Sequence, residues 1–312
     1  MKPKRIVDCG VLVLMGLHFQ VRPIAAGTVT FTIDPTRSSI VLSGSLGAAQ
    51  LGTYPLTAQG SGSLTASYAG SIIADLMPPN IQFPGGSLIV ANTSGTWQPA
   101  VGGGTGSAPA DYGAEVKQTD IITAYFADRN LQFDVTSSII TLTNGDFPAE
   151  FLVIQYVTNN TPAPARDYNI TIPLEPAHDT NGAYSLTGST TNNPDTAYLT
   201  NSDGNLALFV PVNITHVSVK SGYTNTTNLK GLVAATAPAS AWPLSLSVGL
   251  QAGQVSLTWA SFPGPTFTVQ TTQGLGMPWT TATGVTTVQT NTTTWTGAAT
   301  NTVQYYRLQA AF

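Results

Sequence analysis

The stretch Gly27-Thr28-Val29-Thr30-Phe31-Thr32-Ile33 indicates the fold class of the chain. Its apolar residues alternate with threonines, and side chains two residues apart point to the same face of a pleated strand. The alternation therefore predicts a β-strand with one apolar face and one hydroxyl face. Further runs of this kind occur at 131–135, 151–157, 168–172, 206–212 and 214–219.

Pairs of residues that favour left-handed turns separate these runs. They are Asn144-Gly145, Asn181-Gly182 and Asp203-Gly204. Short strands punctuated in this way are typical of sandwiches and barrels. We therefore predict an all-β chain whose N-terminal domain is a β-sandwich or barrel-like. The best helical candidate is 114–130, whose apolar residues could share one helical face, although a pair of strands fits the same residues nearly as well.

Charged residues are scarce along the whole chain. They make up 8% of it, against roughly 25% in an average soluble domain, and the segment 231–312 contains one formal charge, Arg307. The surface of such a protein must be hydrated by uncharged polar side chains, namely Thr, Ser, Asn and Gln, and these residues suit strands and turns. The composition indicates a β-rich protein of the extracellular type.

The first 26 residues follow the pattern of a secretory signal peptide. A basic start (Lys2, Lys4, Arg5) precedes an apolar run at 11–19, and Pro23-Ile24-Ala25-Ala26 ends in small residues, which predicts cleavage after Ala26. The run is shorter than the roughly 20 residues of a membrane helix, so no membrane span is expected in the mature chain. Cys9, the only cysteine, would be removed with it.

Cleavage would leave seven basic and fourteen acidic residues, a net charge of −7. An acidic surface repels the phosphate backbone, so we expect no nucleic-acid partner. An exported chain without disulfides must be stable through its core alone. The expected localisation is the cell surface, the periplasm or the medium.

The small-residue and proline-rich segment 235–243 predicts a linker between a β-rich domain at 27–234 and a smaller one at 244–312. In the second domain, apolar residues alternate toward one face. This inward set is Val255, Leu257, Trp259, Phe267, Val269, Trp279, Trp295, Tyr306, Leu308 and Ala310.

An early strand ending in Trp259 and a closing Tyr306-Arg307-Leu308 run resemble a fibronectin type III domain. The resemblance implies that Trp259 packs in the sandwich core. It also implies that Tyr306, or alternatively Tyr305, bonds back to the backbone. The chain ends at Phe312, about one strand earlier than in that family, so we expect the last strand edge to be paired or docked.

The same Tyr306-Arg307-Leu308 ending resembles the terminal modules of secreted proteins from planctomycete and verrucomicrobial bacteria. The N-terminal region is similar to uncharacterised exported proteins of these bacteria that often carry a PEP-CTERM sorting tail, which is not found here. The segments that carry this similarity are 32–35, 56–64, 95–99 and 206–212. A shorter resemblance, at 32–38, is to periplasmic polyisoprenoid-binding barrels, with Arg37 in place of the usual His.

The candidate catalytic and metal-binding residues do not have the spacing of a recognisable catalytic or zinc-binding motif. His178 and His216 form no zinc-ligand pattern, so we expect no metal and assign both a structural or solvent role.

Glycoside hydrolysis needs two suitably placed carboxylates. Asp111, Glu115, Asp120 and Asp128 could supply them, but a solvated face with one ion pair, Asp128 with Arg129, is the favoured interpretation. Asp179-Thr180-Asn181-Gly182 and 201–205 are better explained as Asx turns than as calcium loops.

Aromatic residues give the one indication of binding. Trp97, Tyr112, Trp242 and Trp279 lie beside Pro or Gly in predicted loops. Exposed rings there could stack on sugars, whereas buried rings would anchor the loops.

Three functions fit these features, none of which needs a cofactor. The first is an exported, non-enzymatic structural, adhesive or surface-binding protein, with an extracellular polysaccharide or another surface protein as its partner. The second is a carbohydrate-binding protein or glycan-active hydrolase that uses Trp97, Tyr112 or Trp279. The third is a periplasmic lipid-binding barrel.

Overall fold

The computed structural model describes most of the chain. The described residues are 9–14, 27–49, 51–56, 65–77, 79–92, 95–97, 108–118, 122–158, 161–172, 180–220, 222–238, 241, 246–260, 266–289, 292–299 and 303–311. They are overwhelmingly strands arranged in antiparallel sheets, so the prediction of an all-β chain is confirmed. Within these ranges no helix is long and apolar enough to span a membrane.

The N-terminal strands and one 3-10 turn, Ala149–Phe151, run from Cys9 to Pro238. The strands are β1 Cys9–Leu14, β2 Gly27–Ile33, β3 Ser39–Ala48, β4 Gly52–Leu56, β5 Thr65–Met77, β6 Asn80–Gln82, β7 Leu88–Asn92, β8 Gly95–Trp97, β9 Ala108–Ala110, β10 Tyr112–Gln118, β11 Ile122–Arg129, β12 Gln132–Thr136, β13 Ile140–Thr141, β14 Asp146–Pro148, β15 Val153–Tyr156, β16 Ala165–Thr171, β17 Thr180–Ser185, β18 Ser189–Thr191, β19 Thr196–Ser202, β20 Asn205–Lys220 and β21 Tyr223–Pro238.

A large sheet contains most of these strands, in the order β14-β19-β20-β21-β2-β5-β7-β12-β15-β18. β3 continues the line of β2 between β21 and β5, and the turn at 34–38 is extruded between them. The predicted alternation of β2 is observed, because Val29, Phe31 and Ile33 are buried while the threonines between them are exposed.

The sheet curls so that its last strand, β18, lies beside β20, the third strand from the other end. The Asn192 side chain follows β18, and it donates from Nδ2 to the Pro211 carbonyl (2.7 Å) and accepts from the Asn213 N–H (2.7 Å) on β20. Asn192 thus satisfies backbone groups that would otherwise be unpaired, and it fixes how tightly the sheet rolls.

A second sheet, in the order β10-β11-β16-β17, packs on the inner face of the large sheet. The helix considered at 114–130 is wrong, because these residues form β10 and β11, which pair from Tyr112 with Asp128 to Gln118 with Ile122. Every second residue packs in the main core, namely Tyr112, Ala114 and Val116 on β10 and Ile122, Ala124 and Phe126 on β11. These residues therefore follow the period of a strand.

The C-terminal strands form two four-stranded sheets around their own core. They are β22 Leu246–Gln251, β23 Gln254–Ala260, β24 Thr266–Thr272, β25 Thr280–Thr281, β26 Val285–Val288, β27 Thr292–Ala298 and β28 Val303–Ala311. The sheet orders are β22-β23-β27-β26 and β1-β28-β24-β25, with β1 pairing along β28 from Cys9–Leu308 to Leu14–Val303. In the full chain this register pairs the last strand edge, as expected, but β1 lies within the predicted signal peptide, so cleavage after Ala26 would remove this pairing. Ala26 lies outside the described residues.

Buried apolar side chains form two main clusters, one between Val29 and Ala237 and one between Val255 and Leu308. Residues 235–238, predicted as linker, belong to β21, where Ala235 and Ala237 are buried. Trp259 is in the second core, as expected. Tyr306 is also buried there against Trp295, but its hydroxyl has no hydrogen-bond partner among the described residues, so the backbone bond expected of it is not formed.

Two of the three predicted turns are confirmed by their positive φ angles. Asn144 and Gly145 have φ of 54° and 91°, and Asp203 and Gly204 have φ of 53° and 77°. The turn at Asn181-Gly182 is wrong, since both residues lie inside β17 and pair with Asn169 and Tyr168 of β16.

Candidate functional site

The densest group of polar side chains lies between the two N-terminal sheets. Asp128 on β11 and Arg166 on β16 are direct cross-strand partners, and both point into the core. Arg166 donates through Nε and Nη2 to the two carboxylate oxygens of Asp128. Its third donor, Nη1, reaches Thr227 Oγ1 on β21 at 3.0 Å. The Arg166 guanidinium therefore joins β16 to β11 within one sheet and bridges to β21 in the large sheet.

The electrostatics of this pair follow from its burial. Burial alone would lower the pKa of Arg166, but the Asp128 carboxylate outweighs it and the pKa is raised. The guanidinium thus stays charged, and the bidentate geometry is the strongest form of such a contact. A buried ion pair has to be this well satisfied, because removing two charges from water is costly.

A second carboxyl group, Asp111, lies beside the pair and is fully buried. It accepts a hydrogen bond from the Leu131 N–H (2.7 Å), while its own N–H donates to the Asp128 carbonyl (2.7 Å). Burial, opposed by the Leu131 bond and assisted by the neighbouring Asp128 charge, raises the pKa of Asp111 to about 6. A carboxyl group in this condition changes its charge near neutral pH.

Tyrosines and one histidine complete the cluster. The hydroxyls of Tyr68 and Tyr112 are 2.5 Å apart across the two sheets, and burial raises the pKa of both. Tyr156, whose pKa is also raised by burial, packs edge-on against His216 with ring centres 5.7 Å apart. Burial, and then the Arg166 charge, lower the pKa of His216, which favours its neutral form.

A gap too narrow to hold a water molecule lies between the sheets beside this cluster. It is lined by Tyr112, Asp128, Arg166, Asn225 and Thr227 together with three apolar side chains. Both oxygens of Asp128 already accept guanidinium N–H groups, so this carboxylate is not placed to take a proton from a substrate. The arrangement holds the two sheets together.

The predicted aromatic candidates have different positions. Tyr112 was expected in a loop, and this is wrong, because it lies in β10 and is completely buried. Trp279 is half-buried beside β25, and the Arg307 guanidinium lies 4.6 Å from its ring centre. Gln270 holds Arg307 through a 2.8 Å bond to Nε. Trp97 is the last residue of β8, but its side chain, like all of Trp242, lies outside the described parts.

The expectation of a solvated acidic face is wrong for Asp111 and Asp128. The partner of Asp128 is Arg166, and Arg129 instead bonds to Asp167 at 2.7 Å on the outer side of the same sheet. Glu115 is half-buried in β10, and Asp120 is not described. His178 and Asp179 also lie outside the described residues, within which no group of three His, Cys, Asp or Glu side chains could hold a metal ion.

Sequence reasoning missed Arg166. A signal was present, because in Ala165-Arg166-Asp167-Tyr168-Asn169-Ile170 the arginine has the same parity as the apolar Tyr168 and Ile170. It also missed the exposed ring of Tyr198, which stacks on Phe209 in the neighbouring strand. Comparisons of the chain with known protein families, with curated proteins and with solved structures find no match.

We expect Arg166→Met to lower the free energy of unfolding by about 3–5 kcal/mol, because it leaves the Asp128 charge buried without a partner. The matched control is Arg129→Met, which breaks a neighbouring pair whose arginine is 40% exposed and should cost at most about 1 kcal/mol. Urea unfolding of both variants measures the difference. Equal losses would contradict the bridging role of Arg166.

We expect Asp111→Asn to remove a pH dependence of stability. The folded-state pKa of about 6 lies above the ordinary value of 3.8, so the folded protein binds this proton more tightly than the unfolded chain does. The contribution of Asp111 to stability therefore falls as pH rises between these two values, by roughly 3 kcal/mol in all, and is constant above them. Asn keeps an acceptor oxygen for Leu131 without the charge.

As the pH rises from 3.8 to about 6, the wild type should therefore lose free energy of unfolding relative to Asp111→Asn. Urea unfolding between about pH 4 and about pH 7 measures it. A difference that does not change with pH would contradict the prediction.

Proposed function

We propose that the protein is exported and acts as a non-enzymatic structural or adhesive protein, with its C-terminal β-rich unit serving as a spacer or docking unit. The signal-like N-terminus and the low charge support export. The outer face of the sheet β22-β23-β27-β26 is the observation that carries the adhesive role.

Hydroxyl side chains form a row across this sheet. Ser247, Thr258, Thr294 and Thr287 are successive cross-strand neighbours, and the hydroxyls of Thr258 and Thr294 are 3.0 Å apart. Arg307 is the one charged residue at 231–312, and it belongs to the other sheet. A partner can cover such a face without desolvating any ion, which is the costly part of burying a polar surface.

An exposed valine adds to this surface. Val285 on the edge strand β26 is two residues from Thr287, so it lies on the same face, and it is 69% exposed. Leu275 and Met277 are 72% and 57% exposed on the turn after β24, which belongs to the other sheet. Edge strands are usually protected by charges or proline, and the sequence Val285-Thr286-Thr287-Val288 contains neither. Both features favour contact with a neutral surface.

We expect the purified chain to release no product from a panel of glycosides and esters, and to be retained on isolated cell envelopes equally at about 0.05 and about 1 M NaCl, since no ion pair is involved. The double variant Thr258→Lys, Thr287→Lys should lose retention because it places charges in the contact. Thr224→Lys, on the outer face of β21, is the matched control. Turnover of any substrate, or retention that high salt abolishes, would contradict the proposal.

Carbohydrate binding is the second candidate, and Trp279 is the observation that favours it. One side of its ring is supported by Arg307, which Gln270 holds in place, and the residue is partly exposed. A fixed, partly exposed indole offers a flat apolar face to a sugar ring.

If this candidate is correct, Trp279→Ala should weaken retention on insoluble polysaccharides severalfold, while Arg307→Lys, which keeps the cation, should have a smaller effect. Pull-down assays measure both, and Trp97→Ala tests the other tryptophan. Unchanged retention in Trp279→Ala and Trp97→Ala would remove the basis for this candidate.

A further inference from the structure

Three side chains form a stack on the outer face of the large N-terminal sheet. Tyr198 on β19 is directly opposite Phe209 on β20, and their rings are stacked with centres 4.5 Å apart and planes 21° apart. The Arg37 guanidinium lies 4.7 Å from the centre of the Phe209 ring. Each face of the Phe209 ring has room for one neighbouring group, so Arg37 and Tyr198 occupy opposite faces of that ring. Phe209 is 4% exposed, whereas Tyr198 is 37% exposed.

The turn that carries Arg37 is fixed to the sheet. The Asp34 N–H donates to the Ala234 carbonyl (2.8 Å), and the buried Ser38 hydroxyl donates to the same carbonyl (3.1 Å) while accepting from the Ala234 N–H (3.0 Å). Asp34 also accepts from the Thr36 N–H (2.9 Å). Arg37 is therefore held against one face of Phe209, and the buried Phe209 ring supports one face of Tyr198.

The other face of the Tyr198 ring is turned toward the edge of the sheet. Asp146 on β14 is opposite Tyr198 in the register, so Tyr198 stands between Phe209 and Asp146. Asp146 is exposed. Thr196 and Thr200, two residues before and after Tyr198, point to the same side of the sheet. A flat ring thus borders a carboxylate and two hydroxyls on a surface that water can reach.

This combination suits a ring that is apolar on one face and carries hydroxyls around its rim. The face of an aromatic ring is partially negative and attracts the C–H groups of a sugar ring. The carboxylate and the threonines can accept and donate hydrogen bonds to its hydroxyls. We propose that Tyr198, with Asp146 beside it, binds a pyranose unit of a neutral polysaccharide.

Two observations favour a neutral sugar over other occupants. The chain has a net charge of −4, and Asp146 itself borders the site, so acidic polysaccharides and phosphate-bearing ligands are repelled. A stable protein partner would need about 800 Å² on each side, whereas the exposed aromatic surface is one ring wide. The site is separate from Trp279 and from the hydroxyl row of β22-β23-β27-β26, so the loss of one kind of binding leaves the others intact.

The test uses the full chain and three neutral insoluble polysaccharides, namely cellulose, chitin and starch granules, followed by titration with soluble oligosaccharides of the one that binds. Tyr198→Ala should weaken binding by roughly tenfold in Kd, and Tyr198→Phe should stay within about twofold of the wild type because it keeps the ring. Asp146→Ala should weaken binding severalfold. Trp279→Ala should leave the Kd for the soluble oligosaccharides unchanged, whatever its effect on retention by the insoluble polymer.

Phe151→Ala is the matched control, since Phe151 is 52% exposed and stands on the 3-10 turn Ala149–Phe151 without a stacked partner among the described residues. Thermal unfolding of each variant separates lost binding from lost folding, and Tyr198→Phe covers the case in which the alanine variant does not fold. Two results would overturn the proposal: no binding of the wild type to any of the three polysaccharides, or equal loss in Tyr198→Ala and Phe151→Ala.

Discussion

The pairing of Asp128 with Arg166 determines much of how the N-terminal sheets fit together. Asp128-Arg129 on β11 faces Arg166-Asp167 on β16, and the register puts one ion pair in the core and the other outside. A slip of one residue would set Asp128 against Asp167 and Arg129 against Arg166, and it would also turn the core residues of the strand outward. Since Arg166 also bonds to Thr227, the same contact sets the position of β16 over β21.

The scarcity of charge makes this contact more important. A chain with 8% charged residues has few ion pairs with which to define registers, and four of its charges are used in one pair of strands. Elsewhere amides and hydroxyls define how strands fit together, as Asn192 does between the end of β18 and β20 and as Ser38 does at Ala234. Neutral groups lose less on leaving water than ions do, so they can join strands without large penalties.

Strand patterns could be predicted wherever one face is buried and one is wet, as in Gly27–Ile33. Prediction failed where both faces are covered. Tyr112 and Gly113 point to opposite faces of β10, yet both are buried, as is Asp111 before them. The alternation therefore disappears here, and the glycine is misread as a loop residue. Asn181-Gly182 was misread because Gly182 is needed where the Tyr168 ring approaches β17. Arg166 could not be assigned its partner from the sequence, since Thr227 is 61 residues away.

The two aromatic surfaces differ in a way that bears on how the chain would hold a polymer. Trp279 is backed by a cation and Tyr198 by another ring, yet each offers one ring to a ligand. One stacked ring with a few hydrogen bonds gives weak binding, because ordering the ligand offsets much of the gain. Where a repeating neutral polymer spans both rings of one chain, the second contact is intramolecular at a high effective concentration, whereas a short oligosaccharide contacts one ring. Firm attachment to a polymer therefore does not require either site to bind a single sugar tightly.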